Sequence, residues 1–225
     1  MNTLFRMNYK LPKEELANLV KNQLLSFVPS EYIDFDLLIN TIYKEVLPKV
    51  EYNISHSDNK YFVSNNDGEG GKIVNFNPFN SVQWMIFLYT LSHELYKVNS
   101  PLADAVYYLN KIMNCVELFY AIELPSIWSA EHPVASVMGR ATYGDHFFFY
   151  HGCTVGTSND RFGNIQHPVI GENVHMYANS SIIGRATVGD NVIVGAGTMI
   201  KNEDVPSNCM VFGQSPNLVI KPLIE

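Results

Sequence analysis

The chain has 225 residues, a formal net charge of −7, and 47% hydrophobic against 16% charged residues. That excludes wholesale disorder and supplies core material for one large domain or two modest ones. Acidity with scattered Lys and Arg argues against a binder of nucleic-acid phosphates, and no apolar run reaches the roughly 18 residues of a membrane span. The opening MNTLFRMNYKLPKEEL lacks the apolar stretch of a secretory signal. The widely spaced Cys115, Cys153 and Cys209 form neither a disulfide framework nor a CxxC metal site, so a cytoplasmic protein is expected.

Two compositional regimes share the chain. Eleven of the fourteen glycines lie after residue 138, and the join falls near LPSIWSAEHP (124–133), which carries two prolines. The spacing predicts a mainly helical domain over 1–130. Pro12, Glu14 and Glu15 open a helix carrying Leu16, Leu19, Val20, Leu24 and Phe27. A second helix is expected from Glu31 to Leu47, with Ile33, Leu37, Leu38, Ile42 and Val46 on one stripe. KYFVSNNDGEGGKIVNF (60–76) reads as a hairpin around a glycine-rich turn. Two aromatic-rich helices follow, Ser81 to Val98 and Pro101 to Ile122, whose stripes are core or subunit contact. His56 and His93 lack metal-ligand partners at useful spacing.

The second regime, 131–225, has a period of six. Apolar residues recur at Ile170, Met176, Ile182, Val188, Val194 and Ile200, and upstream at Val137, Tyr143, Phe149 and Val155. VMGRATYGD (137–145) and IIGRATVGD (182–190) agree in six of nine places. Six fits neither a helix nor strand alternation; it fits a prism-like parallel β-helix whose large aliphatics point inward and stack coil on coil. Val155 to Ile170 spans fifteen residues, two repeats plus three, so TSNDRFGNIQHP (157–168) is expected to loop out. The fold class is thus α+β by segments: a mainly helical N-terminal domain, then a parallel β-helix with an excursion loop and a C-terminal tail.

The repeats, with His132-Pro133, YHGCTVGT (150–157), QHP (166–168), YANSSIIG (177–184), VGAGTMI (194–200) and DVPSNCMVFGQSP (204–216), resemble the hexapeptide-repeat acyltransferases, and within them the serine acetyltransferase group. The resemblance covers about residues 131–221 and implies a left-handed β-helix, with acetyl-CoA as donor and a small hydroxyl acceptor. Transfer would be direct, with a histidine general base and backbone N–H groups receiving the oxyanion. No metal is expected, and the assembly would be a homotrimer or hexamer.

Of His132, His146, His151, His167 and His175, His151 is the first choice as base, at a corner in the coil before the loop. His167, at the loop's return, is the second, where its family counterpart helps hold the substrates. Glu131 stands one residue away from where the family places a carboxylate that orients the base. Ala178 and Ala196, one coil apart, would let a pantetheine arm lie along the backbone. Gly156, Gly184 and Gly195 would contribute to that groove, and Lys201 or Lys221 would meet phosphate. The chain lacks the Asp-His-Ala-Thr-Gly stretch that carries the base in serine acetyltransferases, which opens the alternative of a sugar O- or N-acetyltransferase of surface polysaccharide synthesis. A zinc carbonic-anhydrase-like enzyme and a non-catalytic scaffold are the remaining readings; His146 and His151, five apart, sit off the carbonic-anhydrase positions of the six-residue ruler.

Overall fold

The computed structural model describes residues 5–57, 59–64 and 72–223. The chain divides into two compact units, residues 1–110 and 111–225.

In the first unit, α1 (Lys13–Leu25) starts after Pro12 and buries Leu16, Ala17, Val20 and Leu24. The predicted second helix is α2 (Phe35–Thr41), capped by the Asp34 carboxylate accepting from Leu37 N–H, and it runs on past Leu47. Pro48 has no N–H to offer the carbonyl a turn behind it. The backbone widens into a π-turn at Ile42–Val46 and resumes as α3 (Leu47–His56). Ile33, Leu38, Ile42 and Val46 of the predicted stripe are buried.

Helix α4 (Ser81–Lys97) is capped by Asn80, whose side chain accepts from Val82 N–H and Gln83 N–H. It is buried on most sides, with Trp84 and Phe87 stacked at 4.8 Å. The predicted strands pair antiparallel, Val63–Ser64 on Lys72–Phe76; their glycine-rich turn lies outside the described residues. A strand that sequence reasoning missed, Phe5–Tyr9, adds parallel to Lys72–Phe76. Helix α5 (Leu102–Asn114) stops eight residues short of the expected Ile122, because Cys115 turns left-handed at φ 50°.

The second unit is a left-handed β-helix with three faces. Face one stacks Glu117–Leu118, Val137–Met138, Thr154–Gly156, Ser181–Ile183 and Met199–Lys201. Face two stacks Thr142–Tyr143, Val169–Ile170 and Thr187–Val188, closed by a bridge to Val205. Face three stacks Trp128–Ala130, Phe147–Phe149, His175–Met176, Val192–Val194 and the start of Cys209–Gln214. The inward columns Met138–Val155–Ile182–Ile200, Tyr143–Ile170–Val188–Val205 and Phe149–Met176–Val194–Val211 are buried.

Three sequence expectations change here. The β-helix starts at Glu117 rather than 131, since Glu117–Leu118 and Trp128–Ala130 already pair with the next coil. Met138 rather than Val137 points inward, opposite Val155; the first coil is one residue shorter between faces one and two. The excursion is one repeat plus nine residues: Val155 pairs with Ile182, 27 positions on, where Ile182 pairs with Ile200 at 18.

The nine extra residues are ordered as a hairpin, Ser158–Asn159 antiparallel to Ile165–Gln166. Its turn closes on Asp160, which accepts from Phe162 N–H (2.8 Å), Asn164 N–H (2.9 Å) and Asn164 Nδ2 (2.9 Å). The Asn164 side-chain and backbone bonds hold the Asp160 carboxyl below the usual carboxylate range. At the other end, Cys209–Gln214 turns back as an antiparallel hairpin with Asn217–Pro222.

Candidate active site

Most corners turn the chain through a residue with positive φ. Between faces two and three these are His146, Asn173, Asn191 and Asn208 (φ 54–61°), and the amides chain vertically: Asn173 Nδ2 donates to Asn191 Oδ1, and Asn191 Nδ2 to Asn208 Oδ1, each at 2.9 Å. Asn tolerates left-handed backbone better than other non-glycine residues. This ladder was legible as Asn at one place in successive repeats, but sequence reasoning looked for small residues instead.

The corner between faces three and one gathers three of the predicted residues in one column. Pairing of Phe149 with Met176 and Met176 with Val194 places His151, Ala178 and Ala196 directly above one another. Two carbonyls of this column are used by the ladder: Asn179 N–H donates to His151 O and Gly197 N–H to Ala178 O, both at 2.9 Å. Among the described residues the N–H groups of His151, Ala178 and Ala196 have no partner. One exposed imidazole thus tops a column of two small side chains with unengaged backbone donors at coil spacing.

Beside this column runs an aromatic grid that sequence reasoning did not assemble. Tyr150 lies over Tyr177 at 5.1 Å, Phe148 over His175 at 5.3 Å, and Phe148 meets Tyr150 edge-on at 5.2 Å. The next place in the tyrosine column is Gly195. A methyl there would lie 2.5 Å from Phe212 Cδ1, so the ring of the C-terminal hairpin covers it. The signal was available as the residue after each inward position on face three.

The other predicted residues distribute as follows. His167 is exposed at the corner between faces one and two; register places it between Arg140 and Arg185 in a second column. Within one chain His151 and His167 therefore lie on different corners, at opposite ends of face one. Glu131 is half-buried, its N–H donating to Phe149 O at 3.1 Å, and its Oε1 is 3.9 Å from His132 Nε2. Gly184 and Gly195 are buried and spend their N–H groups on Gly156 O and Val211 O, so neither offers a donor to a ligand. Gly156 faces Ile183. Lys201 is exposed at the end of face one, and Lys221 Nζ is 5.9 Å from the Phe212 ring centre. His146 and His151 are separated by the Phe147–Phe149 strand and sit on different corners. Among the described residues of one chain, no three His, Cys, Asp or Glu side chains converge on a metal-ion position.

The family model of bacterial transferase hexapeptide repeats matches residues 167–202. The serine acetyltransferase of Synechococcus elongatus is 30% identical over 125 residues, covering 55% of this chain and 50% of that protein, so the match spans about half the length of this relative. Among solved structures, serine acetyltransferase of Neisseria gonorrhoeae superposes with a TM-score of 0.66 at 22% identity, over 93% of this chain and 80% of that one. A serine acetyltransferase in complex with CoA gives 0.65 at 16% identity, over 93% and 84%. At such identities the structures share the fold. The resemblance to hexapeptide-repeat acyltransferases of the serine acetyltransferase kind, expected from the repeats, is thus matched in sequence and in architecture.

Proposed function

We propose that the chain is an acetyl-CoA-dependent O-acetyltransferase that acetylates the hydroxyl of serine or a related small acceptor by direct transfer. The observation that carries this reading is the corner column: an exposed imidazole at His151 above Ala178 and Ala196, whose N–H groups are unengaged. Small side chains let the pantetheine arm approach the backbone, and N–H groups at coil spacing suit its amides and the developing oxyanion. A hydroxyl is too weak an acid to attack a thioester unaided, so His151 takes its proton as general base. His167 helps hold the acceptor. Because His151 and His167 occupy different corners of one prism, a complete site needs two prisms side by side, and the working assembly is a homotrimer in which one subunit supplies each.

The test is an acceptor screen with acetyl-CoA, reading free thiol across serine, homoserine and simple or nucleotide-linked sugars. Turnover with serine supports the reading; no turnover with any hydroxyl acceptor overturns it. A sugar acceptor is favoured by one observation, the Phe148, Tyr150, His175 and Tyr177 grid beside His151, which offers aromatic faces against which the apolar face of a pyranose would stack. Turnover with a sugar and none with serine would select it.

A further inference from the structure

The first turn of the His151 corner is unlike those below it. From face three to face one the chain takes five steps in the coils below, as from Phe149 to Thr154 and from Met176 to Ser181, but seven from Ala130 to Val137. The ladder identifies the two extra residues. Glu131 N–H still bonds Phe149 O, as Tyr150 N–H bonds Met176 O one coil on. Val134 O already accepts from Gly152 N–H, in the place that His151 O fills for Asn179 N–H. His132 and Pro133 are therefore inserted between these rungs and bulge outward.

His132 adopts φ 51°, a conformation costly for a non-glycine residue, and its side chain is 80% exposed. A bulge of this kind re-aims a side chain. Here it leaves an imidazole one coil above His151, with the Glu131 carboxylate 3.9 Å from its Nε2. At that distance the carboxylate lies beside the ring without a hydrogen bond between them.

We propose that His132, with the Glu131 carboxylate beside it, is the general acid that protonates the departing thiolate, working opposite His151. The inference rests on the transferase reading given above. In the step, the acceptor oxygen bonds the acetyl carbon while His151 takes the hydroxyl proton. The carbon–sulfur bond breaks with its electron pair on sulfur, and the His132 imidazolium gives that sulfur a proton, releasing CoA as the thiol. Between turnovers solvent carries a proton from His151 back to His132, restoring both.

The test compares two acetyl donors in the full-length protein: acetyl-CoA, and the acetyl thioester of p-nitrothiophenol, whose thiolate leaves without a proton. The main variant is His132→Asn, because Asn accepts the left-handed backbone as it does at the other corners; Glu131→Gln is the second. With acetyl-CoA, His132→Asn is expected to lose roughly 10²-fold in kcat, the low end for a positioned acid, together with the descending limb of the pH profile. With the activated thioester most of the loss disappears, and Glu131→Gln shows the same pattern in smaller measure. Equal losses with both donors, or an unchanged descending limb, would overturn the assignment while leaving the transferase reading intact. A wild-type protein that turns over neither donor overturns both.

Discussion

At the scale of single residues, the corner geometry predicts an unequal effect for the two histidines of the site. His151→Ala is expected to lower turnover by roughly 10²–10⁴, the usual contribution of a general base, and to remove the ascending limb of the pH profile. Acetyl-CoA affinity should hold, because in the proposed site the donor is held by backbone and small side chains rather than by the imidazole. His167→Ala should act more through acceptor KM. Steady-state kinetics on both variants check this; the reverse ranking would move the base to His167. A second residue-scale prediction concerns stability. Burial pushes the Glu94 carboxyl up, but the Lys49 and Lys97 ammonium groups at 2.9 and 3.0 Å outweigh it and hold the group below the usual carboxylate range. A lowered folded-state value means a stabilisation present above the unfolded carboxylate range and lost as pH falls through the folded one. Glu94→Gln should therefore lower the melting temperature at neutral pH and have little effect once acid has protonated the wild-type carboxylate. Melting curves across the acid range read the difference.

At the scale of elements, the nine-residue insertion is separable from the prism. Removing residues 158–166 leaves Val155 and Ile182 at the 18-residue spacing of the coil beneath, so the shortened protein should retain its far-ultraviolet circular dichroism and cooperative melting. Acceptor turnover should collapse. Loss of folding instead would make the hairpin structural. The same element shows how far the sequence could be read. The six-residue period located the inward residues from Tyr143 onward, because the prism interior takes large apolar side chains at those places. It failed at Val137, where Met138 is also apolar and the period cannot choose between neighbours. It missed the coil beginning at Glu117, whose segments are spaced irregularly. In the helical unit, periodicity located α1 and α4, but not the π-turn that Pro48 imposes. Phe5–Tyr9, whose strand exists by pairing with residues 72–76, left no local signal. At the site, His151 and the two alanines followed from spacing. The bulge at His132 was invisible, since two extra residues in a turn show only once strand registers are known.

At the scale of the whole molecule, the proposed site, with its candidate residues divided between two corners, calls for association. The protein is expected to sediment at three times 25.5 kDa or a multiple of it. His151→Ala mixed with His167→Ala should recover part of the activity, because a site between subunits can then draw each histidine from a different chain. A fully active monomer in sedimentation, or no recovery on mixing, would overturn the shared site.

The return of the chain at Gln214 bears on how such a molecule stays finite. Parallel coils contact only their neighbours, and the rim of the last one is a template on which another prism would grow. At Cys209–Gln214 the rim is overlaid by a strand running the other way, and that strand carries Pro222, which has no N–H to contribute to further pairing. There an antiparallel strand, not a further parallel coil, lies against the last strand of face three. Cutting the chain after Gln214 should uncap it: end-to-end fibrils visible by electron microscopy are expected from the truncated protein and not from the full chain.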